Sequence, residues 1–169
     1  MAKQKTAKKR WKNIGLAAGL TTVTAVVGSL ATDPNSKWYK ELDTPPWQPP
    51  TWAFPVAWTG LYAAIAASSA HVLNKLDRAG GKKAADKRRS FINELTANLV
   101  LNAGWSILFF QGKKNVVSAV EAALLALSSA RLARKAGTIT PAAGWALTPY
   151  VAWTSFATAL TVEIARRNQ

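Results

Sequence analysis

The fifteen residues Thr44–Trp58, TPPWQPPTWAFPVAW, carry five prolines and three tryptophans. Proline holds φ near −65° and has no N–H to donate, so Pro45, Pro46, Pro49 and Pro50 cannot lie inside a regular helix or a central strand. The first part of the stretch is therefore a stiff loop. Tryptophan buries a large ring while its N–H seeks a polar partner, which suits a position half apolar and half wet. A rigid loop studded with such rings is expected to form a lid or a rim.

Outward from this loop the chain alternates between charge and its absence. No charged residue occurs from Asn13 through Thr32, Thr44 through Asn74, Leu95 through Gly112, or Ala136 through Val162. A helix needs about 20 mainly apolar residues to cross a hydrocarbon layer of about 30 Å, and these gaps are of that size. The runs are rich in alanine and leucine and show no period-two alternation, which excludes strands. The fold class predicted is all-α integral membrane, a five-transmembrane-helix bundle with a Pro/Trp-rich first loop. Its 169 residues form a single membrane domain: basic tail 1–12, spans 13–32, 52–73, 91–110, 115–133 and 142–165, first loop 33–51 and basic loop 74–90. The fourth span is the shortest and carries Glu121. Residues 13–32 are long enough to cross, so the basic tail and apolar run are read as a first span rather than a signal peptide. Cysteine is absent, which removes disulfides and thiol chemistry.

A net charge of +14 raises the possibility of nucleic acid, and the distribution of the 22 basic residues decides against it. Sixteen fall in the tail, in loop 74–90 and at Arg131, Arg134 and Lys135, all on one side of the predicted bundle; six fall on the other. The positive-inside rule then puts the N-terminus in the cytoplasm and the C-terminus outside. The basic side would attract anionic membrane lipid at about 1 kcal/mol per residue. No nucleic-acid partner is expected.

Asn98, Asn102, Trp105 and Phe109 fall at i, i+4, i+7 and i+11, one helix face. Two asparagines on a lipid-facing stripe would leave amides unpartnered, so this face looks inward. Tyr150, Trp153 and Ala157 repeat the pattern in the fifth span, and Trp58 and Tyr62 in the second, below Trp52 at the rim. At 1.5 Å per residue, Trp58, Trp105 and Ala157 lie roughly 9, 8 and 12 Å beneath the outer surface. Three helices thus present aromatic and amide groups at one level under the stiff loop. A pocket for a planar apolar ligand with polar edges would look like this. So would interhelical packing, since interfacial tryptophans anchor and buried asparagines join helices. Trp11, Trp38 and Trp145 are read as anchors.

Catalytic chemistry has little to stand on. Glu94 and Glu163 sit near span ends, Glu121 about two turns inside, and an acid within a span is often functional. His71, the one histidine, lies near the basic end of the second span, where capping or packing is favoured over haem ligation. The sequence contains no metal-ligand cluster, nucleophilic triad or phosphate-binding glycine loop, so no catalytic residue, metal or required cofactor is assigned. Small residues at Gly15 and Gly19, and at Ala119, Ala122, Ala123, Ala126 and Ala130, could bring helices together.

Three ordered motifs carry a resemblance. Trp38-Tyr39, Leu42, Pro45, Trp47, Pro49-Pro50, Trp52, Phe54-Pro55, Trp58 and Leu61-Tyr62 reproduce WYxxLxxPxWxPPxWxFPxxWxxLY. Residues 101–110 are similar to LNxxWSxxFF, and residues 149–160 to PYxAWxSFATxL. Together they resemble the TspO/MBR family, the translocator proteins or tryptophan-rich sensory proteins, in its bacterial form. The resemblance implies a five-helix membrane bundle, commonly a homodimer, in a bacterial cell membrane. It implies a pocket for porphyrin or haem-type tetrapyrroles, a sensor-like role, and as alternatives transport of a hydrophobic ligand or light-dependent porphyrin breakdown. In animal members it also implies cholesterol. By motif, Trp58, Asn102, Trp105, Trp153 and Ala157 would line the pocket, Tyr62 and Tyr150 would lie near it, and Trp47 and Trp52 would belong to the cover. Phe54, Asn98 and Phe109 complete the candidate ligand-binding set. The sequence departs from the family pattern at Thr44, Ile107, Thr161 and Val162, the last standing where the sterol motif has tyrosine.

Overall fold

The structure, a computed structural model, describes residues 2–169, with residues 2, 3, 5 and 6 described in the backbone only. It is helical throughout, without a strand among the described residues. The helices are α1 (Ala2–Ala31), α2 (Lys37–Glu41), α3 (Ala53–Ala79), α4 (Gly81–Ser106), α5 (Asn115–Ile139), α6 (Pro141–Ala146) and α7 (Thr148–Arg167), with a π-helical turn, Ile107–Gln111, closing α4. Over Ala7–Ala31, Ala53–Ala79 and Asn115–Ile139, α1, α3 and α5 are long and apolar enough to cross a membrane.

Three predicted segments differ in the structure. Where a basic loop was expected over 74–90, α3 and α4 are helical on both sides of Gly80. Lysine, arginine and alanine are good helix formers, so charge ends the apolar run without ending the helix. The reversal is concentrated in Gly80 and Gly81, whose φ values of +66° and +75° disfavour side-chain-bearing residues. The tail 2–12 is likewise the first part of α1. The segment 142–165, expected as one span, belongs to two helices. Thr140 is extended, Pro141 starts α6, and α6 gives way to α7 at Leu147. Pro149 therefore sits in the first turn of α7, where its missing N–H leaves no gap, and does not kink a continuous rod.

Packing closes a ring: α1 lies against α3 and α4, α4 against α5, α5 against α6 and α7, and both of these against α3. The two halves of the ring are filled differently. Toward the basic end the core is aliphatic and solid, with Ile65, Val72 and Leu73 of α3, Phe91 and Leu95 of α4, and Leu132 of α5 all fully buried. Toward the loop end a smaller cluster of Phe109, Leu160 and Ile164 is surrounded by partly buried aromatic rings. Ala119 and Ala122 of α5 are buried within the bundle, so that part of this small-residue patch is spent inside the chain.

Polar ties fix the basic end. Asn13 of α1 donates to Asn74 (3.0 Å) and Asp77 (2.7 Å) of α3 and accepts from Arg88 of α4 (2.9 Å), whose guanidinium also pairs with Asp77. Glu94, near a predicted span end, is held by Arg131 and Lys135 of α5 at 3.1 and 3.0 Å.

The α5–α6 reversal is the tightest backbone approach. A Cβ on Gly144 would lie 2.7 Å from the Gly137 Cα and 3.1 Å from the Ala133 carbonyl oxygen. Backbone cannot swing aside as a side chain can. Gly144→Ala is expected to destabilise the protein by about 1–3 kcal/mol, as overpacking does. Gly60→Ala, with nothing within 4 Å, should be neutral or stabilising by about 0.5–1 kcal/mol. Thermal unfolding of the two variants in the same detergent checks the contrast.

Candidate ligand-binding site

The first loop is held by rings and by a polar clamp. Ser36 accepts the Tyr39 N–H at 3.4 Å and caps α2, which carries Trp38 and Tyr39. Trp38 packs edge-on to Phe109 at 5.4 Å, and Tyr39 lies 5.3 Å from Phe110. Trp38, read as a membrane anchor, is thus part of the cover's own packing. Two turns closed by Gln48 N–H to Pro45 O and Ala53 N–H to Pro50 O, both 2.9 Å, carry the proline run into α3. At its middle the loop is tied to the end of α7: Asp43 N–H donates to Asn168, Asn168 donates back to the Asp43 carbonyl, both at 2.9 Å, and Arg167 reaches the Asp43 carboxylate. Arg167 and Arg166 also hold Glu163. Burial raises the pKa of the Tyr39 phenol, while a hydrogen bond from Gln48 opposes the shift.

The π turn prepares the other half of this contact. Gly112 N–H bonds to Ile107 O, five residues back, at 2.9 Å. The widened turn brings the successive residues Phe109 and Phe110 both to the loop side and to the cavity below.

That cavity has a volume of about 330 Å³. Its walls are aromatic: Trp105 stacks on Phe109 at 5.2 Å, Trp58 on Tyr62 at 5.4 Å, and Phe54 meets Trp153 edge-on at 6.0 Å. The indole N–H groups of Trp105 and Trp153 are buried and have no hydrogen-bond partner. A buried donor without an acceptor costs about 1–3 kcal/mol, so a ligand supplying acceptors here would recover that loss. Helix α1 closes the remaining side, with Gly28 lying close against Ser106 and Tyr62. A Cβ there would stand 3.6 Å from Ser106 Oγ and 3.8 Å from the Tyr62 hydroxyl.

The floor is a directed chain of hydrogen bonds. The Tyr62 hydroxyl donates to Asn102 (2.6 Å), Asn102 to Tyr150 (3.2 Å), Tyr150 to Asn98 (2.9 Å), and Asn98 to Ser128 and Ser129 (3.2 and 3.1 Å). Ser129 ends it by donating to Leu125 O at 2.8 Å. Four helices are joined by one line of donors.

Of the predicted residues, Phe54, Trp58, Tyr62, Asn102, Trp105, Phe109, Trp153 and Ala157 meet at the cavity. Asn98 and Tyr150, both fully buried, lie in the floor behind Asn102. Trp47 and Trp52 stand outside the cavity wall, 47% and 68% exposed, with Trp47 resting on Phe156. His71 is exposed on α3, nine residues beyond Tyr62 and about 13 Å along the helix. The described residues hold no group of side chains suited to a metal. Sequence reasoning missed Gly28, Tyr39, Gln48 and Ser106 as wall residues. Tyr39 had a signal, its place beside Trp38 in a loop read as a cover. Gly28 had a faint one: Asn13, Thr21 and Thr24, the polar residues buried along α1, lie on its face of the helix.

The TspO/MBR family model matches residues 17–167. The chain is 30% identical over 161 residues to the tryptophan-rich protein TspO of Chlorobaculum tepidum, covering 95% of this chain and 98% of that one. It is 31% identical over 159 residues to the translocator protein of Ovis aries, 90% of each. It is 30% identical over 132 residues to the tryptophan-rich sensory protein of Cereibacter sphaeroides, 78% of this chain and 77% of the relative.

Removing the central hydroxyl of the floor should be costly. Tyr150→Phe leaves the Asn98 oxygen without its donor and an Asn102 N–H without its acceptor. A destabilisation of about 1–3 kcal/mol is expected, against little change for Trp52→Phe at the exposed rim. Thermal unfolding monitored by near-ultraviolet circular dichroism checks it.

Proposed function

The chain belongs to the TspO/MBR family, and from that premise we propose that it is an integral membrane protein of the receptor or sensor kind that binds a planar hydrophobic ligand, of the porphyrin or haem-type tetrapyrrole class, in the cavity beneath loop 33–51. The observation that carries this reading is the cavity of about 330 Å³, walled by stacked rings, two of whose wall residues, Trp105 and Trp153, have buried indole N–H groups without a partner. Flat aromatic faces supply apolar area for a flat ligand, and two fixed donors supply orientation toward acceptors at its edge.

In this reading five rods cross the bilayer: α1, α3, α4 with its π turn, α5, and the α6–α7 pair. Three have the length and hydropathy for it, and the ring packing of all five supports including the others. The basic end, where α3 meets α4, faces the cytoplasm with the N-terminus, and the loop and the C-terminus face outward. A homodimer belongs to the same reading. Gly15 and Gly19 of α1, with nothing within 4 Å of where their Cβ atoms would sit, leave a small-residue strip for it.

Titration of the purified protein with protoporphyrin IX in the dark should give saturable quenching of tryptophan fluorescence and a shift in the porphyrin's own absorbance. Trp105→Ala and Trp153→Ala should each weaken binding by roughly tenfold or more, the loss typical of a buried aromatic anchor. Saturation curves equal to the wild type in both variants, read from the porphyrin absorbance, would remove the proposal.

A further inference from the structure

One buried group plays no part in the floor, the loop or the walls. Glu121 of α5 is 8% exposed, and neither carboxyl oxygen has a hydrogen-bond partner. It sits in the seam between α5 and α4, where Oε1 lies 3.9 Å from the position a Cβ would take on Gly104. The residues beside it belong to the cavity wall: Ala122 and Leu125 on its own helix, and Trp105, next to Gly104, on the facing one. Glu121 lies six residues into α5 and Trp105 six residues before the end of the π turn, so both are about 9 Å from the loop end.

Among the described residues, the other helical acids that are at least partly buried are all paired, and Asp86 of α4, which has no ion pair, is exposed to solvent. Glu94 has Arg131 and Lys135, Asp77 has Arg88, and Glu163 has Arg166 and Arg167. No ion pair reaches Glu121. A buried carboxylate without a counter-charge is penalised by several kcal/mol, and a partner with a positive charge or a strong donor removes much of that penalty.

We infer that Glu121 is a recognition residue of the cavity, selecting planar aromatic ligands that carry a basic nitrogen. This rests on the proposal that the cavity binds a ligand at all. The site is then two-sided, with indole donors from Trp105 and Trp153 for ligand acceptors and one carboxyl, in the α4–α5 seam, for a ligand cation or N–H.

Two three-ring probes of similar shape separate the possibilities: 9-aminoacridine, a cation at neutral pH, and anthracene, which has neither charge nor donor. Both are titrated against the full chain in an uncharged maltoside detergent, followed by tryptophan quenching. The wild type is expected to bind 9-aminoacridine at least about tenfold more tightly than anthracene. Glu121→Gln should abolish that preference while leaving anthracene binding unchanged, and Glu121→Asp should retain part of it. A wild type that binds both probes equally overturns the role of Glu121 and leaves the cavity proposal standing; this comparison needs no variant to fold. A preference that survives Glu121→Gln also overturns it. Binding of neither probe overturns the role of Glu121, and the protoporphyrin titration then decides the cavity proposal by itself.

Discussion

The bundle depends on one line of hydrogen bonds. Tyr62, Asn102, Tyr150, Asn98 and Ser129 come from α3, α4, α7 and α5, and each donates to the next until the line ends on a backbone carbonyl. In an apolar interior such groups have no water to fall back on, so each fixes the rotation and height of the helix that carries it. Displacing any of the four helices by one residue would break at least one link. The line therefore sets the level at which solid packing stops and the cavity begins.

On the basic side of that level, aliphatic side chains interdigitate without remainder, and the Asn13–Asp77–Arg88 and Glu94–Lys135 ties close the end. On the loop side the filling is aromatic. Rings that meet edge-on or in offset stacks leave more irregular space than branched aliphatic chains do, and their rigidity keeps that space from collapsing. The aromatic residues thus both make the cavity and hold it open, and the loop, pinned through Trp38, Tyr39 and Asp43, is a fixed part of the enclosure.

Much of this was legible in the sequence, for physical reasons that differ by element. The helix-spaced Asn98, Asn102, Trp105 and Phe109 gave the inward face of α4 because amides and rings on one face can only be accommodated inside. The equal depths of Trp58, Trp105 and Ala157 brought three helices to one level. What charge suggested was less reliable. The basic residues 74–90 read as a loop but form helix, since solvation of lysine does not require an irregular backbone. The span 142–165 read as one helix but is two, since only the chain's course at Leu147 shows where the first ends and the one begun by Thr148 and Pro149 starts. The partners of Glu94 lie on another helix, 37 and 41 residues on, whereas those of Glu163 are the neighbouring Arg166 and Arg167. The contribution of α1 to the wall, through Gly28, is set by its rotation, which the sequence encodes only in the three polar residues Asn13, Thr21 and Thr24 on that face.

The π turn ties the evolution of two distant segments together. It amounts to one residue in excess of a regular helix, and each residue of a regular helix accounts for about 100° of rotation. A chain that lost it would swing Phe109 and Phe110 apart, and either Trp38 or Tyr39 would face bare backbone. An insertion or deletion near residue 109 is therefore tolerable only if the sequence around residue 38 changes with it, so that length variation in one predicts substitution in the other.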